Sequence, residues 1–292
     1  MSKIVIQITE PKTKEEMVKL MEEHLKEEKN KKDIDIIVSA KPNYINKQIL
    51  KVLKTYNIAI IELEIKSTND YILKRLGEEY TFKDIKKISK MIKWNRFKLG
   101  YQIVVGLPES TRIDEINTGK SIIKMKPKMV NITPLLVMKN SELEKEYKQK
   151  KYKPLTIVQA VEACKELVEL FNTTKIETIG IGYGVFDDNL EQLKIAEQVV
   201  DGPFHPSFRQ LVETALWYDA IVNKIKQLNV KVMQVEVTVN LVDVNNVIGY
   251  KQDNLKKLKD LYDVDLIVTA NDNIKPGKSK IDILKIYQDF KD

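Results

Sequence analysis

The sequence predicts an α/β protein whose larger part is a mostly parallel sheet covered by helices. Three observations carry this. Through most of the 292 residues, short apolar runs alternate with amphipathic stretches of helical period, the order that parallel βαβ units produce. Most of these runs are apolar at nearly every position, as strands buried on both faces require. Beyond Leu228 the alternation changes to strands gathered around one helix, so we expect a barrel-like unit at 1–228 and a small unit at 229–292.

In order, Ile4–Ile8 reads as a strand. Thr13–Lys26 reads as a helix, with a capping-box spacing from Thr13 to Glu16 and Met17, Leu20, Met21 and Leu25 on one face. His24 lies beside that face, a boundary position, and Glu27–Asp33 is a charged loop. Strands follow at Ile34–Val38, Ala59–Ile65, Lys98–Gly106, Met129–Thr133 and Lys175–Ile181. Helices fall between them at Asn46–Thr55, Asn69–Leu76, Thr81–Lys93, Glu109–Met125 and Thr156–Phe171. Right-handed crossovers close such an order into an open sheet or an arc. In the tail, Met233–Leu241 is a strand, Asn254–Tyr262 a helix, and Asp265–Thr269 and Lys280–Ile286 strands, a β-α-β-β unit.

Composition narrows the chemistry. Cys164 is the single cysteine, so no disulfide forms within the chain, in keeping with a reducing, cytoplasmic setting. It also leaves no thiolate set for a zinc site or an iron–sulfur cluster, and two histidines, His24 and His205, are too few to substitute. No apolar run reaches the ~18 residues of a membrane span, and the start carries no signal-peptide pattern. The net charge is +7, which is compatible with nucleic acid. However, only Arg75, Arg96, Arg112 and Arg209 are arginines, and a lysine-rich surface is as easily a solvated face.

Gly106-Leu-Pro-Glu-Ser110 ends a strand and turns into a helix, whose first amides are free to meet an anion. By itself such a turn is more often structural. In order along the chain, Ser39-Ala-Lys-Pro-Asn-Tyr-Ile45, Glu62-Leu-Glu-Ile-Lys-Ser67, the Gly106 turn, Asn131-Ile-Thr-Pro-Leu-Leu-Val-Met-Lys139, Lys153-Pro-Leu155 and Gly202-Pro-Phe-His-Pro-Ser-Phe208 form a set. This set resembles the radical S-adenosylmethionine (radical SAM) superfamily, in particular its Elongator-catalytic-subunit-like group, over roughly Ile34–Leu228. The resemblance implies a partial TIM-type barrel with a cofactor pocket at the strands' C-terminal ends. It implies that Ser67, Gln102, Val105 and Gly106 line a vestigial adenosyl pocket, with Pro134 and Leu135 near its floor.

The departures from that pattern carry as much weight. Thr9-Glu-Pro11 follows the first strand where the family has a C-x-x-x-C-x-x-C loop, and no G-G-S-F-T strand stands between Lys26 and Ile34. Lys41 and Asn43 replace the arginine and aspartate of the R-P-D segment, and Glu64 and Glu109 replace glycines. Reductive cleavage of the sulfonium needs the cluster's electron. The expectation is therefore a chain with no cofactor: no cluster, no radical chemistry of its own, and substitutions that tell against binding S-adenosylmethionine.

Glu62, Glu64, Lys66 and Lys41 could serve acid–base chemistry or form a structural ion-pair cluster, and the latter is favoured. His205 reads as a structural or pocket-edge residue, Cys164 as a small core residue, and Trp94, Trp217 and Tyr218 as core or interface aromatics. The tail resembles a KH domain, with Gly249 at the first glycine of a G-x-x-G loop and Gln252 at the second. Ten basic and ten acidic residues make 229–292 neutral, yet Lys251, Lys256, Lys257 and Lys259 cluster and are the candidate RNA contacts. By resemblance to a family acting on transfer RNA wobble uridines, the first functional reading is a non-catalytic RNA-binding protein. The alternatives are a regulatory or scaffolding subunit with a protein partner, and an enzyme using the remodelled pocket for another small molecule.

Overall fold

The computed structural model describes residues 2–8, 14–25, 34–183, 189–228 and 230–287. It divides into two compact units, Met1–Phe204 and His205–Asp292. The first runs β1 (Ser2–Ile8), α1 (Lys14–Leu25), β2 (Ile34–Ala40), α2 (Lys47–Leu53), β3 (Ile58–Lys66), α3 (Asp70–Arg75), α4 (Phe82–Trp94) and β4 (Lys98–Val105). It continues through α5 (Arg112–Met125), β5 (Met129–Pro134), β6 (Val137–Met138), α6 (Glu142–Lys148), α7 (Ile157–Asn172), β7 (Glu177–Ile181), α8 (Asn189–Gln198) and β8 (Val199–Asp201).

Six of these strands form one curled sheet in the order β1-β2-β3-β4-β5-β7, every neighbouring pair parallel. This is the expected partial barrel. Strand alternation gives the sheet two faces. One, with Val38, Ile61, Leu63, Ile65, Leu99, Tyr101, Ile103, Val130 and Ile132, is buried, and α4 and α7 lie on this side. Tyr101 fixes α4 there through its hydroxyl, which is 2.5 Å from Ser89 Oγ. On the inner face the strand starts contribute an apolar layer of Ile37, Ile60 and Met129. Gly100 belongs to that layer, because a Cβ there would lie 2.9 Å from the Met129 methyl and 3.3 Å from Ile60.

The helices start where their caps dictate. Thr81, Thr111 and Thr156 each cap α4, α5 and α7 in a reciprocal box with Asp84, Asp114 and Gln159. The box at Thr111 explains why α5 begins after the expected Glu109. Buried side chains then seat each helix: Ile85 and Ile92 on α4, Leu167 and Phe171 on α7, at roughly 2 kcal/mol per large apolar side chain.

The second unit runs α9 (Phe208–Lys226), β9 (Val232–Val239), α10 (Val244–Ile248), α11 (Asp253–Tyr262), β10 (Asp265–Ala270) and β11 (Ser279–Ile286). Central β9 pairs parallel with β10 and antiparallel with β11. Its core joins Val235, Val237 and Val239 to Ile221, Val222 and Ile225 of α9.

Several expectations change. The units divide before α9 rather than at Leu228, because α9 supplies core side chains to the C-terminal sheet. Two helices, not one, separate β9 from β10. The antiparallel β6–β8 pair and α6 were not anticipated. Of the two readings of Trp94, core or interface, the core one is excluded, since it is 82 % exposed. The Thr13 cap, the 27–33 loop and the 9–11 segment lie outside the described residues, as does the side chain of His24.

Candidate functional site

The strand ends of the first unit carry three polar groupings. The first is the turn after β4. Gly106 has φ +78°, its N–H donates to Glu115 Oε1 at 2.7 Å, and its carbonyl accepts from the Tyr152 hydroxyl at 2.7 Å. Burial raises the Glu115 carboxyl, against the Gly106 amide and Arg112, which favour its charged form. Glu109, at φ +61°, adopts the left-handed backbone that a glycine would take without strain. It is held by Arg75 Nε at 2.6 Å and by the Tyr71 hydroxyl. Arg75 also grips Glu146 of α6 with both terminal nitrogens, at 3.1 and 2.6 Å, a forked pair of the kind guanidinium favours.

Behind the turn, Ser67, Val105, Leu107, Glu115, Thr118 and Leu167 pack around a narrow cleft. Ser67 Oγ accepts from Asn69 N at 3.1 Å and lies 3.4 Å from Thr118 Oγ1. Of the four residues expected to line an adenosyl pocket, two border this cleft and Gln102 lies across the sheet from it. Ser67 and Val105 are packed in this cleft, and both backbone polar groups of Gly106 are engaged. Gln102 lies on the inner face, donating to Thr133 Oγ1 at 3.4 Å.

The second grouping is on that inner face. Ser39 Oγ lies 2.8 Å from Glu62 Oε1 and 3.0 Å from Glu64 Oε1, and Asn131 Nδ2 donates to Glu62 Oε2. Glu62 is 3 % exposed. Burial above all, with Glu64 adding to it against the hydrogen bonds from Ser39 and Asn131, pushes its carboxyl up to about 7. Asn131 Oδ1 is buried with no partner among the described residues. The third grouping is ionic: Glu78 pairs with Lys66 and, at 3.4 Å, with Lys41. The four candidates Lys41, Glu62, Glu64 and Lys66 are thus divided, and Asn131 and Glu78 join them. Spacing could reveal that Glu62 and Glu64 share a strand face, but their partners come from register across β2, β3 and β5.

Cys164 is fully buried on α7, and burial pushes its thiol far above its ordinary value. Among the described residues, no three His, Cys, Asp or Glu side chains gather as a metal site.

In the second unit, Gly249 turns α10 towards α11 at φ +88°, and a Cβ there would lie 2.9 Å from Asn254 N and from Thr214 Cγ2. His205 stacks edge-on against Tyr250 at 5.1 Å, and burial, then Lys251, lowers its pKa. The four candidate RNA lysines are mostly engaged. Lys256 donates to the Lys251 carbonyl at 3.1 Å, Lys257 pairs with Asp253 at 2.6 Å, and Lys259 pairs with Asp263 and Asp265 at 3.0 Å. Lys251 lies over the Tyr250 ring at 5.3 Å. At ~100° per residue, Lys257 and Lys259 face nearly opposite sides of α11.

Comparison with known proteins fits this architecture. The Radical SAM superfamily description matches residues 2–117, and the Radical SAM C-terminal domain matches 127–218. The chain belongs to the radical SAM superfamily. Within that superfamily its likeness is to the Elongator-like group. It is 25 % identical over 132 residues to the tRNA uridine(34) acetyltransferase of Methanocaldococcus jannaschii, covering 44 % of this chain and 24 % of the relative. It is 24 % identical over 135 residues to the Methanocaldococcus infernus protein of that name, covering 44 % and 25 %. The chain thus spans about a quarter of the length of these curated relatives. The solved structure of archaeal Elp3 from M. infernus, with residues 1–46 deleted, superposes with a TM-score of 0.59 at 20 % identity, over 76 % of this chain and 55 % of that one.

Proposed function

We propose that this radical SAM-fold chain is a binding protein for RNA of the transfer-RNA class, or for an assembly containing it, and runs no radical reaction itself. The observation that carries the non-catalytic reading is the cysteine inventory. The family's cluster needs three thiolates, whereas the single cysteine here is sealed in α7 with its thiol strongly protonated. The residues present do not fit that group. The RNA reading draws on the relatives named for tRNA uridine(34) acetylation. A KH-like role for the second unit belongs to the same proposal. So does a cytoplasmic setting; among the described residues, no helix is long and apolar enough to cross a membrane.

Affinity purification of the tagged protein from its own cells tests this, with RNA, iron and co-purifying proteins all measured. RNA that dissociates at high salt, with iron far below one cluster per chain, supports the proposal. Stoichiometric iron overturns its non-catalytic half. A stoichiometric protein partner without RNA overturns the other half.

One observation favours a second reading, a small-molecule site on the inner face. Among the described residues Asn131 Oδ1 has no donor, and it lies beside a buried carboxyl poised near neutrality; perturbed buried groups gather at functional sites. A ligand bringing hydrogen-bond donors to that face should raise the melting temperature of the wild type but not of Glu62→Gln.

A further inference from the structure

Positive charge is dense on one helix of this chain. Residues 82–98, covering α4 and the start of β4, hold Lys83, Lys86, Lys87, Lys90, Lys93, Arg96 and Lys98 against a single carboxylate, Asp84. That segment carries +6 in a chain whose net charge is +7. The Asp84 carboxylate is itself held in the Thr81 capping box, at 2.6 Å from Thr81 Oγ1.

The helical period sorts these residues onto one face. At ~100° per residue, Lys83, Lys86, Lys87, Lys90 and Trp94 fall within an arc of about 100°, with Trp94 between Lys87 and Lys90. Ile85, Ser89 and Ile92 occupy the opposite, buried face. All four lysines are exposed, and none forms an ion pair among the described residues. Lys86 rests over the Phe82 ring at 4.4 Å, which leaves its charge uncompensated. Trp94 is 82 % exposed, an unusual position for the residue with the largest apolar surface. Arg96 and Lys98 are exposed or nearly so just beyond it, and Lys93 Nζ caps the carbonyls of Met125 and Lys126 at the end of α5.

Four charges and an indole in one stripe, with no ion-pair partner among the described residues, make a surface complementary to a chain of phosphates carrying bases. Lysine meets phosphate as a point charge. An exposed indole offers a base a stacking platform, and a charged groove with aromatics is how single strands are held without sequence preference. From Lys83 to Trp94 the stripe is about 16 Å long, enough to follow several consecutive phosphates of one strand. The C-terminal lysines make a poorer surface: three of them are tied to Asp253, Asp263, Asp265 or a carbonyl, and they do not share a face.

We propose that the α4 stripe, Lys83, Lys86, Lys87, Lys90 and Trp94, is the docking surface for single-stranded RNA, its lysines on the phosphates and Trp94 under an unpaired base. This deepens the RNA reading above and rests on it.

The test uses the full chain and a labelled oligouridylate of about 15 nucleotides, with affinity measured across a salt series. The combined Lys83→Gln, Lys87→Gln, Lys90→Gln variant should lose at least about tenfold in affinity, and its log–log salt slope should flatten by about 2, since each phosphate contact contributes about 0.7. Trp94→Ala should lose about 5- to 100-fold with the slope unchanged, as loss of a stacked base predicts. Lys145→Gln, Lys148→Gln, at lysines paired with Glu142 and Glu144 on α6, should bind as the wild type does. Both α4 variants keep the buried face and good helix formers, and circular dichroism checks that they fold. Wild-type binding that survives both α4 variants overturns this surface and leaves the RNA reading standing. A wild type that fails to bind the oligomer or bulk transfer RNA at low salt overturns both.

Discussion

Glu62 shows how much a single position can hold. Its carboxyl titrates near 7 in the folded chain against about 4.5 when exposed. Between those values the folded protein keeps a proton that the unfolded chain has released, so stability falls as pH rises through this window. The full effect is on the order of 3 kcal/mol, at about 1.36 kcal/mol for every tenfold gain in proton affinity on folding. Denaturation midpoints between pH 4.5 and 7.5 should therefore decline in the wild type, and Glu62→Gln should flatten the decline; parallel slopes would remove Glu62 as its source. Gly106 invites a second test. Its φ of +78° and the 2.9 Å approach of a built Cβ to Leu155 predict that Gly106→Ala costs about 1–2 kcal/mol, read as a lower urea midpoint with an unchanged m-value. The sequence announced Gly106 through its turn with Pro108, but Glu62 only as one of four charged candidates. A carboxyl becomes unusual through what lies across from it, and Ser39 and Asn131 reach Glu62 from 23 and 69 residues away.

Among elements, those with local determinants were the legible ones. β3, β4 and β5 fall within a residue or so of their expected bounds because an apolar run between turn residues states its own limits. α4 and α7 start where Thr81 and Thr156 cap them. Loss of one such cap, as in Thr111→Ala, should lower stability by about 1 kcal/mol. Thr81→Ala should add to it independently, because the two boxes share no partner; a strongly non-additive double variant in chemical denaturation would mean that the helix starts are coupled. The β6–β8 pair was illegible for the converse reason: strands of two and three residues meet across some 60 positions of chain, with no local pattern to mark them. Trp94 stayed open between core and interface because an aromatic near apolar residues fits both, and its angular position on α4, among lysines, decides against the core.

For the whole molecule, the boundary before α9 has a consequence for its parts. A fragment of residues 205–292 retains Ile221, Val222 and Ile225 against the β9 sheet and should unfold cooperatively. A fragment of 229–292 loses that layer and should not; equal cooperativity by calorimetry would return the boundary to Leu228. The charge distribution matters at the same scale. α4 and its flank carry +6 within 17 residues, and residues 116–140 carry +5 within 25. Neutralising three clustered lysines of α4 should advance elution from a cation-exchange resin more than neutralising three lysines scattered over the rest of the surface. In free solution that density draws α4 towards a polyanion before contact is made, so the stripe is favoured in first encounters.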